Sequence, residues 1–163
     1  MQVPSWDFLT SPIHNASAGG FMGSVPASLI EIPYRPTAAV RYQWDPGTNT
    51  YARYQSNGIS YIREVDAANN VAIAAKNIAI IQTDIITTTV QEDAGGAFSL
   101  DMRLTGTGPA AVFRDGRRQE GTWYRATWFD PFTFISQNGE RILLSPGQTW
   151  LHIVPTEWTI TSS

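Results

Sequence analysis

The chain has 163 residues, 42% of them hydrophobic and 12% aromatic, which is enough for one ordinary domain with its own core. Only 15% are charged, the net charge is −3 and the basic residues are scattered, so the concentrated positive footprint of a nucleic-acid or anionic-membrane binder is excluded. There is no cysteine, which excludes disulfides and thiolate metal sites. The most apolar run, 71–90, is broken by Lys76 and Asp84, and no membrane-spanning segment is predicted.

Residues 1–26 are rich in Pro, Ser, Gly and Ala and are read as a partly irregular leader, with Trp6, Phe8 and Leu9 as its anchors. Residues 27–163 are read as a single β-rich domain. Its first runs, SLIEIPY, AAVRYQW and TYARYQ, are rich in β-branched and aromatic residues, and Asp45-Pro46-Gly47-Thr48-Asn49 forms the loop between the last two. Alternation along these strands puts Tyr42 and Trp44 on one face, and Tyr51 and Arg53 on one face of the returning strand. Asn57-Gly58 then turns the chain into ISYIRE.

The segment 66–76 is the one helix-compatible stretch, with Asp66 able to cap an Ala-rich body. Residues 77–89 are too β-branched for a helix and predict one central strand, followed by a Gly95-Gly96 loop and a strand over 97–104. The rest of the chain is organised around 110–155. There Asp115-Gly116, Asn138-Gly139 and Pro146-Gly147 punctuate strands expected at 110–114, 119–127, 132–136 with 141–144, and 149–154, in an antiparallel meander. Beyond Pro155, Trp158 and Ile160 suggest a short edge strand. The expected fold is therefore mainly β, α+β at the margin: an antiparallel meander or sandwich-like sheet with at most one or two short helices.

The parts for chemistry are few. The two histidines, His14 and His152, are far apart in sequence, so neither a His-based metal cluster nor a His-paired nucleophile is expected, and no metal or cofactor is predicted. His152 shares a face with Trp150 and Val154 and is read as a partly buried structural residue. Gly106-Thr107-Gly108 lacks the Lys-Ser/Thr of a phosphate loop and reads as a turn. The strongest functional signal is aromatic density at Trp123, Tyr124, Trp128, Phe129, Phe132 and Phe134, flanked by Arg125 and Asp130, which suits stacking on sugars or gripping a peptide wherever the rings are exposed. Trp150, beside Leu151 and Ile153, is expected in the core. Trp123, with Arg125 on its own side of the strand, is expected to be the more open of the two.

The order of motifs resembles the carboxy-terminal domain of the YerB-like family, bacterial proteins of the lipoprotein type whose function is unknown. The matching residues are Tyr51-Ala52-Arg53-Tyr54, Asn57-Gly58, Asp66-Ala67, Asn77-Ile78-Ala79-Ile80, Gly106-Thr107-Gly108, Gly116-Arg117, Gly121-Thr122-Trp123-Tyr124-Arg125, Asn138-Gly139 and Ser145-Pro146-Gly147-Gln148-Thr149-Trp150. They span about 30–155. The chain departs from the pattern between Asn57 and Asp66, where the family tends to place a shorter link with a His just ahead of the Asp; residues 59–65 stand here instead, and no His-dependent role is carried over. The family's amino-terminal domain and lipidated signal do not occur in this sequence, so the chain looks like a fragment of a longer protein.

The resemblance implies an extracytoplasmic, cell-envelope setting and assigns no catalytic residue. Among the matching residues, Arg53 is expected to pair with Asp66 and Asn77 to satisfy backbone groups at a strand entrance. A groove lined by Arg53, Asp66, Trp123 and Arg125, with Asn77 among the matching polar residues, is the candidate ligand site. The expected function is a non-enzymatic envelope module that binds an envelope protein or a cell-wall polymer. A hydrolase acting on peptidoglycan or another glycan is the alternative, and it would need two carboxylates about 5–10 Å apart in a cleft.

Overall fold

A computed structural model describes Trp6, residues 21–93 and residues 95–163. Phe8, Leu9 and most of the segment read as a leader lie outside the described residues. Among those described there is no helix. The elements in order are β1 (Val25–Pro26), β2 (Leu29–Ile32), β3 (Val40–Asp45), β4 (Thr50–Ser56), β5 (Tyr61–Arg63), β6 (Ala74–Ala75), β7 (Asn77–Thr83), β8 (Ile85–Gln91), β9 (Phe98–Met102), β10 (Gly106–Arg114), β11 (Arg117–Arg125), β12 (Thr133–Ser136), β13 (Thr149–Pro155) and β14 (Thr161–Ser162).

They form two packed sheets and a ribbon. The first sheet has the order β1-β11-β10-β7-β13, with β12 also on β11; the second has the order β14-β2-β3-β4-β5, with β6 also on β4; β8 and β9 pair with each other. The hairpin predicted at Asp115-Gly116 closes β10 on β11, both residues at positive φ, in a register that pairs Arg114 with Arg117.

The first sheet is buried on both faces, which explains the nearly unbroken apolar run of β7. Ile78 and Ile80 point into the space between the sheets with Ala111, Phe113 and Val154, against Ile30, Ile32, Val40, Tyr42 and Tyr51. Ala79 and Ile81 point the other way with Ala110, Val112 and Trp123, into a second core closed by Phe132, Phe134, Ile142 and Leu144. Phe21 is fully buried in that second core, Trp6 packs on Phe132 and Phe134, and Val25–Pro26 pair with β11, so the first sheet extends into the segment read as a leader.

Five local expectations are corrected. Gly106-Thr107-Gly108, read as a turn, is the start of β10 and pairs with Arg125, Tyr124 and Trp123. Residues 66–76 are not helical: Asp66 and Val71 close a tight turn, with Asn70 at φ 57°, and the return strand β6 pairs with β4, because backbone groups on that sheet edge take partners a helix would otherwise keep to itself. The single strand expected over 77–89 is two, β7 and β8, parted at Asp84. Residues 141–144 are not a regular strand; Arg141 makes an isolated bridge to Ile135, and Ile142 and Leu144 act as core plugs. Pro146-Gly147 is not a hairpin turn. The chain crosses over the sheet there, and β13 runs parallel to β7 with Trp150 beside Ile78 and His152 beside Ile80.

Candidate functional site

The five residues proposed to line a ligand groove do not come together. Arg53 lies between the sheets. Its guanidinium forms an ion pair with Glu64, not with Asp66, and sits 4.7 Å over the ring of Trp150. The β4–β5 pairing makes this choice, since it returns Glu64 alongside Arg53, with the Glu64 N–H donating to the Arg53 carbonyl at 3.0 Å. Asp66 caps its turn, accepting from the Ala68 N–H at 2.8 Å. Asn77 is fully buried. Its amide donates to the Ser145 carbonyl (2.8 Å) and the Thr149 hydroxyl (3.0 Å) and accepts from the Ser145 N–H (2.8 Å), fastening the crossover to the start of β7.

The expected order of the two tryptophans is reversed, although Trp150 does pack against the first core. Trp123 is completely buried in the second core, where its Nε1–H donates to the Gln82 carbonyl at 2.8 Å. Trp150 is only half-buried, because β13 is the edge strand of the first sheet. Arg125 sits on the Trp123 face, as alternation requires, but its charge does not mark open solvent. It folds over Phe132, 4.9 Å from the ring centroid, and spends its donors on loop carbonyls.

A buried polar chain runs through the space between the sheets. Tyr42 hydroxyl is 2.8 Å from His152 Nε2 and Tyr34 hydroxyl is 2.8 Å from Nδ1. In the neutral ring one nitrogen accepts from its tyrosine hydroxyl and the other donates to its own. Burial, assisted by the Arg53 charge, pushes His152 down to about 4, so it stays neutral across the physiological range. Burial likewise raises both tyrosines, against the lowering effect of Arg53. Both ring nitrogens of His152 have protein partners, and the residue is buried.

The exposed aromatic chemistry is elsewhere, on the loop between β11 and β12. Of the six aromatic residues in this region, Trp123, Phe132 and Phe134 are core, while Tyr124, Trp128 and Phe129 are exposed, Trp128 to 60% and Phe129 to 85%. The turn that carries the last two is tightly bonded. Asp130 Oδ2 accepts from the Thr127 N–H (2.8 Å) and hydroxyl (2.7 Å), the Asp130 N–H donates to the Thr127 carbonyl (3.1 Å), and the Phe129 N–H donates to Thr127 Oγ1 (3.2 Å). From beneath, Arg125 donates to the carbonyls of Trp128 (2.6 Å) and Asp130 (2.7 Å), and its guanidinium lies 5.5 Å from the Trp128 ring centroid. The spacing Thr127-x-x-Asp130 is the local signal for this turn, a side-chain-to-backbone motif that a search for chemistry passes over.

The family-model comparison matches residues 30–151 to the carboxy-terminal domain of a protein of unknown function, DUF3048. The chain belongs to this family. Among solved structures, the crystal structure of the YerB protein from Bacillus subtilis matches with a TM-score of 0.64 at 20% identity, over 97% of this chain and 46% of that one. The chain thus spans about half the length of that protein, and at this identity the likeness is one of fold. No curated protein matches. The exposed tip falls inside the matched residues, as do Arg53, Asp66, Asn77, Trp123 and Arg125.

Proposed function

We propose that this domain is a non-enzymatic binding module of the bacterial cell envelope, outside the cytoplasmic membrane, and that it holds an envelope protein or a cell-wall polymer against the Trp128–Phe129 tip. The observation that carries the reading is the pairing of two large exposed rings with a turn whose backbone is already fixed by Thr127, Asp130 and Arg125. Covering an exposed aromatic side chain contributes about 1.5–3 kcal/mol, and a loop held in one geometry loses little entropy when it binds. Isolated surface apolars need no explanation, but adjacent rings on a rigid projection match the anchors found at the centre of interfaces.

Hydrolysis of a glycan fits this tip less well. It needs a pair of carboxylates about 5–10 Å apart, and the carboxylate of the loop, Asp130, is spent on Thr127. The envelope setting rests on the resemblance to YerB-like lipoproteins. The test is to compare wild type with the double variant Trp128→Ala/Phe129→Ala for retention on purified cell-wall sacculi and on solubilised envelope fractions. Loss of retention at an unchanged melting temperature is expected, whereas undiminished retention by the variant would overturn the proposal.

A further inference from the structure

A second site lies on the other face of β11. The register places Glu120 opposite Ala111 and Arg118 opposite Phe113, so both polar residues share the face that looks toward the second sheet. The carboxy-terminal segment that leads into β14, the edge strand of that sheet, crosses here, anchored by Gln82 Nε2 on the carbonyls of Thr156 (3.0 Å) and Trp158 (2.7 Å) and by Arg118 Nη1 on the Ser162 hydroxyl (3.1 Å). Between the segment and the strands is a cleft of about 370 Å³, with Ala111 and Gly121 among its lining residues, an apolar wall from Trp158 and Ile160, and a polar side from Arg118, Glu120 and Gln137. A second depression of about 270 Å³ adjoins it and shares the same three polar residues.

The charges of this cleft are already matched. Arg118 Nη2 donates to Glu120 Oε1 at 2.6 Å, so an anionic or cationic ligand gains little by Coulomb attraction. What the site offers is mixed hydrogen bonding: an acceptor carboxylate more than half exposed and the exposed Gln137 amide that both donates and accepts, while Arg118 is held by Glu120, Ser162 and the Ile160 carbonyl. A hydroxyl group is the ligand chemistry that matches such a surface, since it donates and accepts at once. The half-buried Trp158 supplies an apolar wall for the C–H face of a ring.

We propose that this cleft is a saccharide site, and that the depressions on either side of Arg118, Glu120 and Gln137 seat consecutive units of an uncharged oligosaccharide. The site is separate from the aromatic tip and does not depend on it. The test is calorimetric titration of the whole chain with a chito-oligosaccharide and with a malto-oligosaccharide, alongside Glu120→Ala, Gln137→Ala and the tip variant Trp128→Ala/Phe129→Ala. Saturable binding of at least one sugar is expected, weakened about tenfold or more by Glu120→Ala and by Gln137→Ala, as loss of a hydrogen bond to a polar or charged group predicts. The tip variant should bind the sugar as wild type does. Both cleft residues are exposed, so melting curves should superimpose and any loss belongs to the site. No saturation by either sugar, or wild-type affinity in both cleft variants, would overturn the assignment.

Discussion

The Nε1–H of Trp123 donates to the main-chain carbonyl of Gln82 at 2.8 Å, reaching across β10 to a strand that is not its direct neighbour. Gly108, the ladder partner of Trp123, makes the reach possible: a Cβ there would lie 2.6 Å from that same nitrogen and 2.7 Å from the Gln82 carbonyl oxygen. We therefore expect Trp123→Ala to cost about 3–5 kcal/mol, and Gly108→Ala to destabilise through overpacking by about 1–3 kcal/mol. Urea unfolding followed by circular dichroism measures both. A Trp123→Ala midpoint equal to that of wild type would contradict the buried position.

Stability should depend on pH through His152. Its folded-state pKa of about 4 lies below the ordinary value of 6.5, so between those pH values the unfolded chain takes up a proton that the folded chain refuses. Stability contributed by the neutral ring is therefore fully present above about pH 6.5 and is lost as the pH falls toward 4. The full loss is on the order of 3 kcal/mol. Denaturant midpoints measured across this window should fall for wild type, and the fall should be much shallower in His152→Gln. A wild-type midpoint that stays level from pH 7 to about 4.5 would contradict this account.

Asn77→Ala leaves the backbone N–H and carbonyl of Ser145 without their side-chain partners in a buried setting. A loss of about 2–4 kcal/mol is expected, larger than for a surface Asn, because the unpaired groups are closed off from water. Amide exchange should show the extra opening concentrated in residues 145–149 and at the start of β7. Exchange that rises evenly over the whole domain would instead mark a general loss of stability.

Arg125→Ala removes the donors beneath the carbonyls of Trp128 and Asp130 while leaving both exposed rings in place. The expected outcome is faster amide exchange at 127–130 and weaker retention on envelope material. The melting temperature should change by only a few degrees, as a partly exposed side chain at a loop base predicts. Retention that survives in Arg125→Ala but vanishes in Trp128→Ala/Phe129→Ala would show that the rings bind without a pre-set loop.

The sequence alone determined what depends on neighbours in the chain. Side-chain alternation put Trp123 and Tyr124 on opposite faces, and one of them is indeed buried and the other exposed. The Asp-Gly and Asn-Gly pairs marked positive-φ turns at Gly116 and Gly139. The β-branched run after Asn77 marked a central strand, though not its break at Asp84. Tertiary structure decided everything that depends on which strands meet. β13 entered the sheet parallel to β7 at an edge, which left Trp150 half-buried, while Gly108 and the Gln82 carbonyl made room and a hydrogen-bond partner for Trp123 deep in the second core. Arg53 received Glu64 rather than Asp66 because the β4–β5 ladder set the register, and the Ala-rich segment lost its helix to the edge of β4. The cleft at Arg118, Glu120 and Gln137 had no local signature, since its far wall is Trp158 and Ile160, brought over the strand from the other end of the domain. Local pattern records the preferences of a few residues at a time, whereas burial and ligand geometry follow from contacts between segments far apart in the chain.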